Sequence, residues 1–176
     1  PFIVTTNDLV ETSAYNGTNT YKLHNARQIK REYDVNSLYS QLSATTTSIA
    51  QSDIDARGNV LKSRTIKADA YSELEIINTA SYSVSNDWPH KLNWKATTTH
   101  LRPKSSSVLW GTTNTFSRST STKIEQWDTV HRKPKVVVST GSSSKFTQSQ
   151  CLSTSNATPC TVVETTYNNH GLPSKQ

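Results

Sequence analysis

The sequence predicts an all-β fold, and three observations lead to this prediction. About fifty of the 176 residues are Ser or Thr and only 32% of residues are hydrophobic; Thr suits the solvated face of a half-buried sheet. Several short runs alternate apolar and polar residues, the period of a strand. Gly, Pro, Asn and Asp interrupt the chain at short intervals with no amphipathic helix between, which indicates antiparallel hairpins.

Residues 21–42 allow two interpretations. Their larger side chains could share one face of a short helix in the N-terminal third, although the spacing is imperfect, and no Gly or Pro occurs from residue 18 to residue 57. The run Tyr33-Asp34-Val35-Asn36-Ser37 instead has the composition of a turn between strands. Both interpretations stand at the level of the sequence.

Beyond residue 53 the pattern favours strands throughout. Residues 92–101 alternate most regularly, and residues 70–82 form a second predicted strand, with Glu73 and Glu75 expected on its solvated face. The apolar runs 136–138 and 162–163 are expected to be buried on both faces. The side chains expected to pack the sheet are Leu74, Ile76, Leu92, Trp94, Trp127 and Tyr167.

One turn pattern recurs along the chain. A large apolar residue is followed by Asp or Asn and then by a turn, and residues 54–60 align with residues 167–173 in this way. Asp or Asn can cap such a turn through its side chain, and Gly can adopt the positive φ of its tightest point. Weaker copies begin at Tyr33 and Trp127. The predicted turn residues are Asp34, Asp55, Gly58, Asn59, Asp128, Asn168 and Gly171.

These turns resemble the YD repeats of Rhs proteins and of the B and C components of insecticidal toxin complexes. The closest passage is residues 53–60, Asp-Ile-Asp-Ala-Arg-Gly-Asn-Val, in which Ile54 stands where the family usually has Tyr. Residues 77–92, the Thr-rich strand 95–99 and the segment 165–171 continue the likeness. The resemblance covers roughly residues 50–176. It departs from the family pattern at Pro89, at Asn168 and in the segment between the two cysteines.

The resemblance implies an extended, curved sheet of hairpins that forms part of a β-shell in a secreted or cell-surface bacterial protein. Its partners would be the remainder of a larger polypeptide and the toxic cargo that the shell encloses. Residues 1–50 would be an N-terminal segment, either separate or part of the same sheet, and residues 51–176 the YD-repeat-like region. Exposed edge strands would favour self-association.

Carbohydrate binding is the alternative function, because it is also attributed to YD-repeat proteins. The sequence has four Trp and seven Tyr, and aromatic rings can stack on sugars as well as pack a sheet. Trp88 and Trp110 are the candidate sugar-stacking residues.

Other classes of function find little support in the sequence. The formal net charge is +6, but its basic clusters, residues 27–31 and 131–135, lie in no nucleic-acid motif, so we expect no nucleic-acid partner. No apolar run approaches the ~20 residues of a membrane helix. Ordered catalytic motifs, metal-ligand spacings and cofactor-binding loops are absent, so we expect neither enzymatic activity nor a cofactor.

The two cysteines, Cys151 and Cys160, do not have the spacing of a zinc site. A disulfide that closes a polar loop is the preferred interpretation and implies an oxidising compartment. Two free thiols in a reducing compartment are the alternative.

Overall fold

A computed structural model describes residues 2–12, 22–35, 40–83, 88, 91–104, 115–153 and 158–175, apart from the side chains of residues 11, 12, 22 and 23. Eleven strands occur in these residues, with one single-turn 3-10 helix at Gln51–Asp53 and one four-residue helix, α1, at Gln148–Cys151. The strands are β1 (Phe2–Thr12), β2 (Lys22–Asp34), β3 (Ser40–Ser48), β4 (Lys62–Ala68), β5 (Ser72–Tyr82), β6 (Leu92–Pro103), β7 (Phe116–Asp128), β8 (Lys133–Thr140), β9 (Cys160–Glu164), β10 (Thr166–Tyr167) and β11 (Pro173–Lys175).

The fold is all-β, as predicted. Strands β1 to β9 form one nine-stranded sheet in which hydrogen-bonded neighbours are consecutive in the chain, and β10 and β11 form a separate hairpin. The six strand pairs of the large sheet whose register is defined are antiparallel. Within the described residues, no helix is long and apolar enough to cross a membrane.

The alternative of a helix in residues 21–42 is wrong for the described part of this stretch. Residues 22–34 form β2, which pairs with β1 on one side and with β3 on the other. Ile29 is buried whereas Gln28 and Lys30 are exposed, which is the period of a strand. Backbone hydrogen bonds to a strand on each side stabilise these residues as a strand, although the spacing of their apolar residues partly fits a helix.

The chain divides into two compact units. The first comprises Pro1–Thr79 and Thr98–Ser117, and the second Ala80–Thr97 and Arg118–Gln176. In the first unit β3 pairs with β4, so the sheet that begins at residue 2 continues past residue 50. The separation of residues 1–50 from 51–176 stays a prediction.

The first unit buries a charged residue that the sequence placed in solvent. Glu75 on β5 is only 5% exposed, so its expected position on a solvated strand face is wrong. Its carboxylate accepts from Arg64 Nε at 2.5 Å and from Arg102 Nη2 at 2.9 Å. The hydrogen bond from Arg64 lowers the pKa of Glu75, and this effect together with the positive charges of both arginines exceeds the opposite effect of burial.

Polar side chains, threonine among them, pair across the strands of the first unit. Thr47 on β3 and Thr65 on β4 are direct cross-strand partners, and their hydroxyl oxygens lie 3.2 Å apart. On the same row of the sheet, Gln28 donates to Asn7 Oδ1 at 2.9 Å. Such polar pairs explain how a sequence so rich in Thr builds strands. Ile29 is the one buried hydrophobic residue among the described residues of this unit.

The second unit has a small apolar centre on β6 and β8. Ala96, Val136 and Val138 are its buried hydrophobic residues in the described part of the chain. Segment 141–152 lies against β7: Ser121 Oγ donates to the carbonyl of Ser144 at 2.7 Å. The six side chains predicted to pack the sheet, in both units, are all only half-buried: Leu74, Ile76, Leu92, Trp94, Trp127 and Tyr167.

Candidate functional site

The turn at residues 54–60 is closed by the side chain of Asp55. Its Oδ1 accepts from the backbone N–H of Arg57 at 2.9 Å and of Asn59 at 2.8 Å, and its Oδ2 accepts from Asn59 Nδ2 at 2.7 Å. Gly58 has φ of 82°, a left-handed conformation that favours glycine. Asn59 is 5% exposed. All three predicted turn residues therefore belong to one hydrogen-bonded corner.

The turn at residues 167–173 repeats this corner. Asn168 Oδ1 accepts from the N–H groups of His170 and Leu172, both at 3.0 Å, which are two and four residues further along, as at Asp55. Gly171 has φ of 71° and donates to the carbonyl of Asn168 as Gly58 donates to that of Asp55.

The flanking residues of the two corners also pair in the same way. Ile54 pairs with Val60 and Tyr167 pairs with Pro173, so each pair joins residue i to residue i+6. The alignment of residues 54–60 with 167–173, made from the sequence, thus corresponds to one backbone structure built twice.

The two corners differ in charge. Burial alone would raise the pKa of Asp55, but the hydrogen bonds from Asn59 and from the backbone of Arg57 lower it below the ordinary value. Asp55 is therefore ionised at neutral pH, and its second oxygen holds the Asn59 amide. Asn168 closes its corner with a neutral side chain.

Asp128 forms a turn of a different kind between β7 and β8. Its Oδ1 accepts from the backbone N–H groups of Val130 and His131, both at 3.0 Å, and its Oδ2 lies 3.1 Å from Nδ1 of His131. These contacts with His131 lower the pKa of Asp128. The positive φ falls on Arg132, at 54°, rather than on a glycine.

Asp34 ends β2 and pairs with Ser40 at the start of β3. Of the turn predicted at residues 33–37, Asn36 and Ser37 lie outside the described residues.

Asp69 closes a further turn that the sequence analysis missed. Its Oδ1 accepts from the N–H groups of Tyr71 at 2.8 Å and Ser72 at 2.7 Å in the hairpin between β4 and β5. These two bonds lower the pKa of Asp69. The signal was present in the sequence as an Asp followed three residues later by a Ser, without an adjacent Gly.

A disulfide joins Cys151 at the end of α1 to Cys160 at the start of β9, with the two Cα atoms 5.6 Å apart. Gly141 donates its backbone N–H to the carbonyl of Pro159 at 3.0 Å, which ties the same loop to the end of β8. The helix α1 is capped by Thr147 and Gln150, which bond to each other's backbone N–H.

Of the two predicted sugar-stacking residues, Trp88 lies in the described part of the chain. Trp110 lies outside the described residues. Trp88 packs edge-on against Trp127, with ring centroids 4.7 Å apart. Lys91 Nζ and the Arg132 guanidinium lie 5.4 and 5.7 Å from the centre of the Trp88 ring, so cations of the protein already occupy positions over it.

A cleft of about 400 Å³ lies nearby in the second unit. Its aromatic walls are Trp127 at the end of β7 and Tyr167 on β10, and its polar lining includes Lys135 of β8 and Thr165. Both aromatic residues were predicted to pack the sheet, and neither was among the two candidate sugar-stacking residues. The lining comes from two separate segments, residues 127–135 and 165–167, so no local motif could have identified the cleft.

The hairpin β10–β11 is held next to this cleft by three contacts. Tyr167 donates its hydroxyl to the carbonyl of Pro134 at 2.7 Å, and Lys133 donates to the carbonyl of Gly171. The His131 ring packs so closely on Gly171 that a Cβ there would lie 2.9 Å from the ring. The second corner is thus fixed on the β7–β8 turn.

No group of three His, Cys, Asp or Glu side chains in the described part of the chain could hold a metal ion. Comparisons with protein-family models, with curated proteins and with solved structures give no match. The YD-repeat resemblance therefore stays a prediction, and its support comes from the corners.

Proposed function

We propose that this chain is a non-enzymatic structural module of a secreted or surface bacterial toxin-like protein, in which its hairpins form part of a curved β-shell. The observation that carries the proposal is the pair of equivalent corners at Asp55 and Asn168, with the same backbone hydrogen bonds and the same i to i+6 pairing. A repeated corner that reverses the chain is what a shell of stacked hairpins requires.

The distribution of apolar side chains supports the same proposal. Only four hydrophobic residues of the described part are buried, whereas Phe2, Ile3, Val4 and Leu9 on β1 are 38–64% exposed. Exposed apolar residues along a strand indicate a surface that further protein covers. In a shell, the neighbouring hairpins of the same polypeptide and the enclosed cargo would cover it.

Protease protection in the complete parent polypeptide tests the proposal. A protease-sensitive tag is placed in the segment that follows this module, and digestion is followed over time in the intact protein. We expect the tag to be protected until the protein is unfolded with denaturant. A matched tag on an exposed turn, such as that at Val130, which is 83% exposed, should be cleaved at once. Equally fast cleavage of both tags in the folded protein would contradict an enclosing shell.

A further inference from the structure

Strand β9 forms one edge of the large sheet. In the described part of the chain it pairs with β8 alone. The backbone N–H of Thr165, just after β9, donates to the carbonyl of Lys135 at 2.8 Å. Because successive residues of a strand direct their N–H and C=O groups to opposite sides, those of Val162 and Glu164 face away from β8. This edge of β9 can therefore pair with a further strand.

Strand β11 already pairs on this side of the chain. After β9 the chain continues into β10, where Thr166 pairs with Lys175 of β11. Thr166 lies two residues beyond Glu164, so the N–H and C=O groups of both residues face the same side. A strand added along β9 would therefore continue, toward the start of β9, a pairing that the hairpin β10–β11 has begun.

A groove of about 480 Å³ accompanies this edge. Leu152, which adjoins α1 and is 68% exposed, and the half-buried Val162 form its apolar lining. Glu164, Thr166 and Lys175 are among its polar residues. Val162, Glu164 and Thr166 alternate along the extended chain, so their side chains share one face. A strand paired with β9 would thus direct every second side chain into the groove.

The wall that α1 contributes to the groove is held in place by covalent and polar contacts. The disulfide between Cys151 and Cys160 joins α1 to the start of β9. The backbone N–H of Gln148 donates to Glu125 Oε2 at 2.6 Å, and the side chain of Gln148 donates to Glu164 Oε1. A groove that is formed before binding loses less conformational freedom when a ligand enters it.

The lining determines which side chains a bound strand would carry. A residue opposite Val162 would lie next to Leu152, so a large apolar side chain suits this position. Within the described residues Glu164 Oε2 has no partner, and an opposite charge on the facing residue would stabilise the pair. We propose that β9 binds an extended segment of another protein, antiparallel, with Lys or Arg opposite Glu164 and a large apolar residue opposite Val162.

A second copy of this chain does not provide such a segment at its sheet edges. Among the described strands the outer ones of the large sheet are β1 and β9, and neither contains Lys or Arg. Their charged residues are Asp8, Glu11 and Glu164, which would repel Glu164 of the first copy. A different protein, in which Lys or Arg is followed two residues later by an apolar residue, fits the groove better.

The test uses peptides that differ in one edge of their backbone. The complete chain is titrated by calorimetry with acetyl-Lys-Thr-Val-Thr-Val-Thr-amide, in which Lys would face Glu164 and the first Val would face Val162. Methylation of the N–H groups of Lys and the first Val removes the donors directed at β9, whereas methylation of the first and second Thr removes donors on the opposite edge. We expect the unmodified peptide and the Thr-methylated form to bind, and the other form to bind about 10-fold more weakly.

Variants of the chain test the two side-chain positions. Glu164→Gln keeps an oxygen that can accept from Gln148, and it should weaken binding of the unmodified peptide by about 10-fold. A peptide with Gln in place of Lys should bind both proteins equally. Glu32→Gln removes a carboxylate of β2 outside the groove and should leave binding unchanged. Leu152→Ala changes an exposed side chain, so misfolding is not expected, and it should weaken binding of both peptides.

The proposal would be overturned if the unmodified peptide did not bind, if the two methylated forms bound equally, or if Leu152→Ala had no effect. Equal effects of Glu164→Gln and Glu32→Gln would also overturn it. Tighter binding of a peptide that copies residues 2–7 of β1 would identify a second copy as the partner and contradict the assignment to another protein. The protease test of the shell does not depend on this edge, so each of these outcomes leaves the shell proposal unaffected.

Discussion

Asp55 and Asn168 build the same corner, yet only one of them carries charge. Both side chains accept from backbone N–H groups two and four residues ahead. Asp55 Oδ2 also accepts from Asn59 Nδ2 at 2.7 Å. An asparagine at position 55 would place its own Nδ2 donor against the Nδ2 donor of Asn59. We therefore expect Asp55→Asn to lower the free energy of unfolding by about 1–2 kcal/mol at pH 7.

The loss of stability caused by Asp55→Asn should become smaller at acidic pH. The folded-state pKa of Asp55 is below the ordinary value of 3.8, so the stability that its charge contributes is fully present above pH 3.8. It is lost as the pH falls through the lowered folded-state pKa. The difference between wild type and Asp55→Asn, measured by urea unfolding, should narrow below pH 3.8. The converse Asn168→Asp should change stability by less than about 0.5 kcal/mol at pH 7. A difference that is constant down to pH 2 would contradict this role.

Three glycines allow a second prediction at this scale. Gly58 and Gly171 have positive φ, and a Cβ on Gly171 would also lie 2.9 Å from the His131 ring. Gly141 lacks positive φ, and its Cβ would meet Pro159 at an ordinary 3.9 Å. Alanine should therefore cost about 1 kcal/mol at Gly58 and 2 kcal/mol or more at Gly171, and little at Gly141. Thermal unfolding of the three alanine variants measures these losses of stability. Equal losses at all three positions would contradict the prediction.

What the sequence could reveal at this scale depends on how local the interaction is. Asp55, Gly58 and Asn168 were predictable because each bonds within four residues of itself. The burial of Glu75 was not, because its partners Arg64 and Arg102 come from other strands and become its neighbours only when the sheet forms.

At the scale of elements, the disulfide fixes a short helix that has little stability of its own. The helix α1 has four residues, none buried, and isolated helices of this length do not persist in water. With nine residues of separation between the cysteines, the loop-entropy model gives about 2.6 kcal/mol of stabilisation. Replacing both cysteines by serine should lower the free energy of unfolding by roughly this amount. A reducing agent should destabilise the wild type and leave the double variant unchanged. If it destabilised both proteins equally, the disulfide would not be the source of the stabilisation.

Strand β1 is an edge with exposed apolar residues, and it leads to a prediction about association. Among the described strands β1 pairs only with β2, and an edge strand of a sheet can pair with another chain. We expect the isolated chain to self-associate with rising concentration, and Ile3→Lys to reduce this. Leu172→Lys is a matched control, because Ile3 and Leu172 are 54% and 59% exposed and Leu172 lies in a turn. Light scattering measures the mass; a strict monomer at high concentration would refute the prediction.

The elements themselves were predictable to different degrees. Strands β5, β6 and β8 have alternating or continuous apolar residues that mark them in the sequence. The pattern of β2 was ambiguous because a strand paired on both sides draws its stability from neighbours, here β1 and β3. The cleft at Trp127 and Tyr167 was beyond prediction, since its lining is assembled from separate strands.

At the scale of the whole chain, backbone ladders and turn caps account for more of the structure than apolar burial does. Among described residues the buried hydrophobic side chains are Ile29, Ala96, Val136 and Val138. Polar pairs such as Thr47 with Thr65 occupy positions that apolar pairs hold in an ordinary sheet. The shell proposal accounts for the remaining apolar surface, because neighbouring hairpins and the enclosed cargo would cover it.

The small number of buried apolar side chains leads to a last prediction, about the heat capacity of unfolding. The heat-capacity change of unfolding follows the apolar surface that unfolding exposes. An ordinary domain of this length would show about 2.1–2.6 kcal/mol/K, at ~12–15 cal/mol/K per residue. We expect a smaller value for this chain by calorimetry, since so little apolar surface is buried. In the complete parent polypeptide the value per residue should return to the ordinary range, because neighbouring hairpins would cover the exposed apolar side chains of β1. An ordinary value for the isolated chain would show that it buries a full core by itself, and the case for a missing covering layer would then fail.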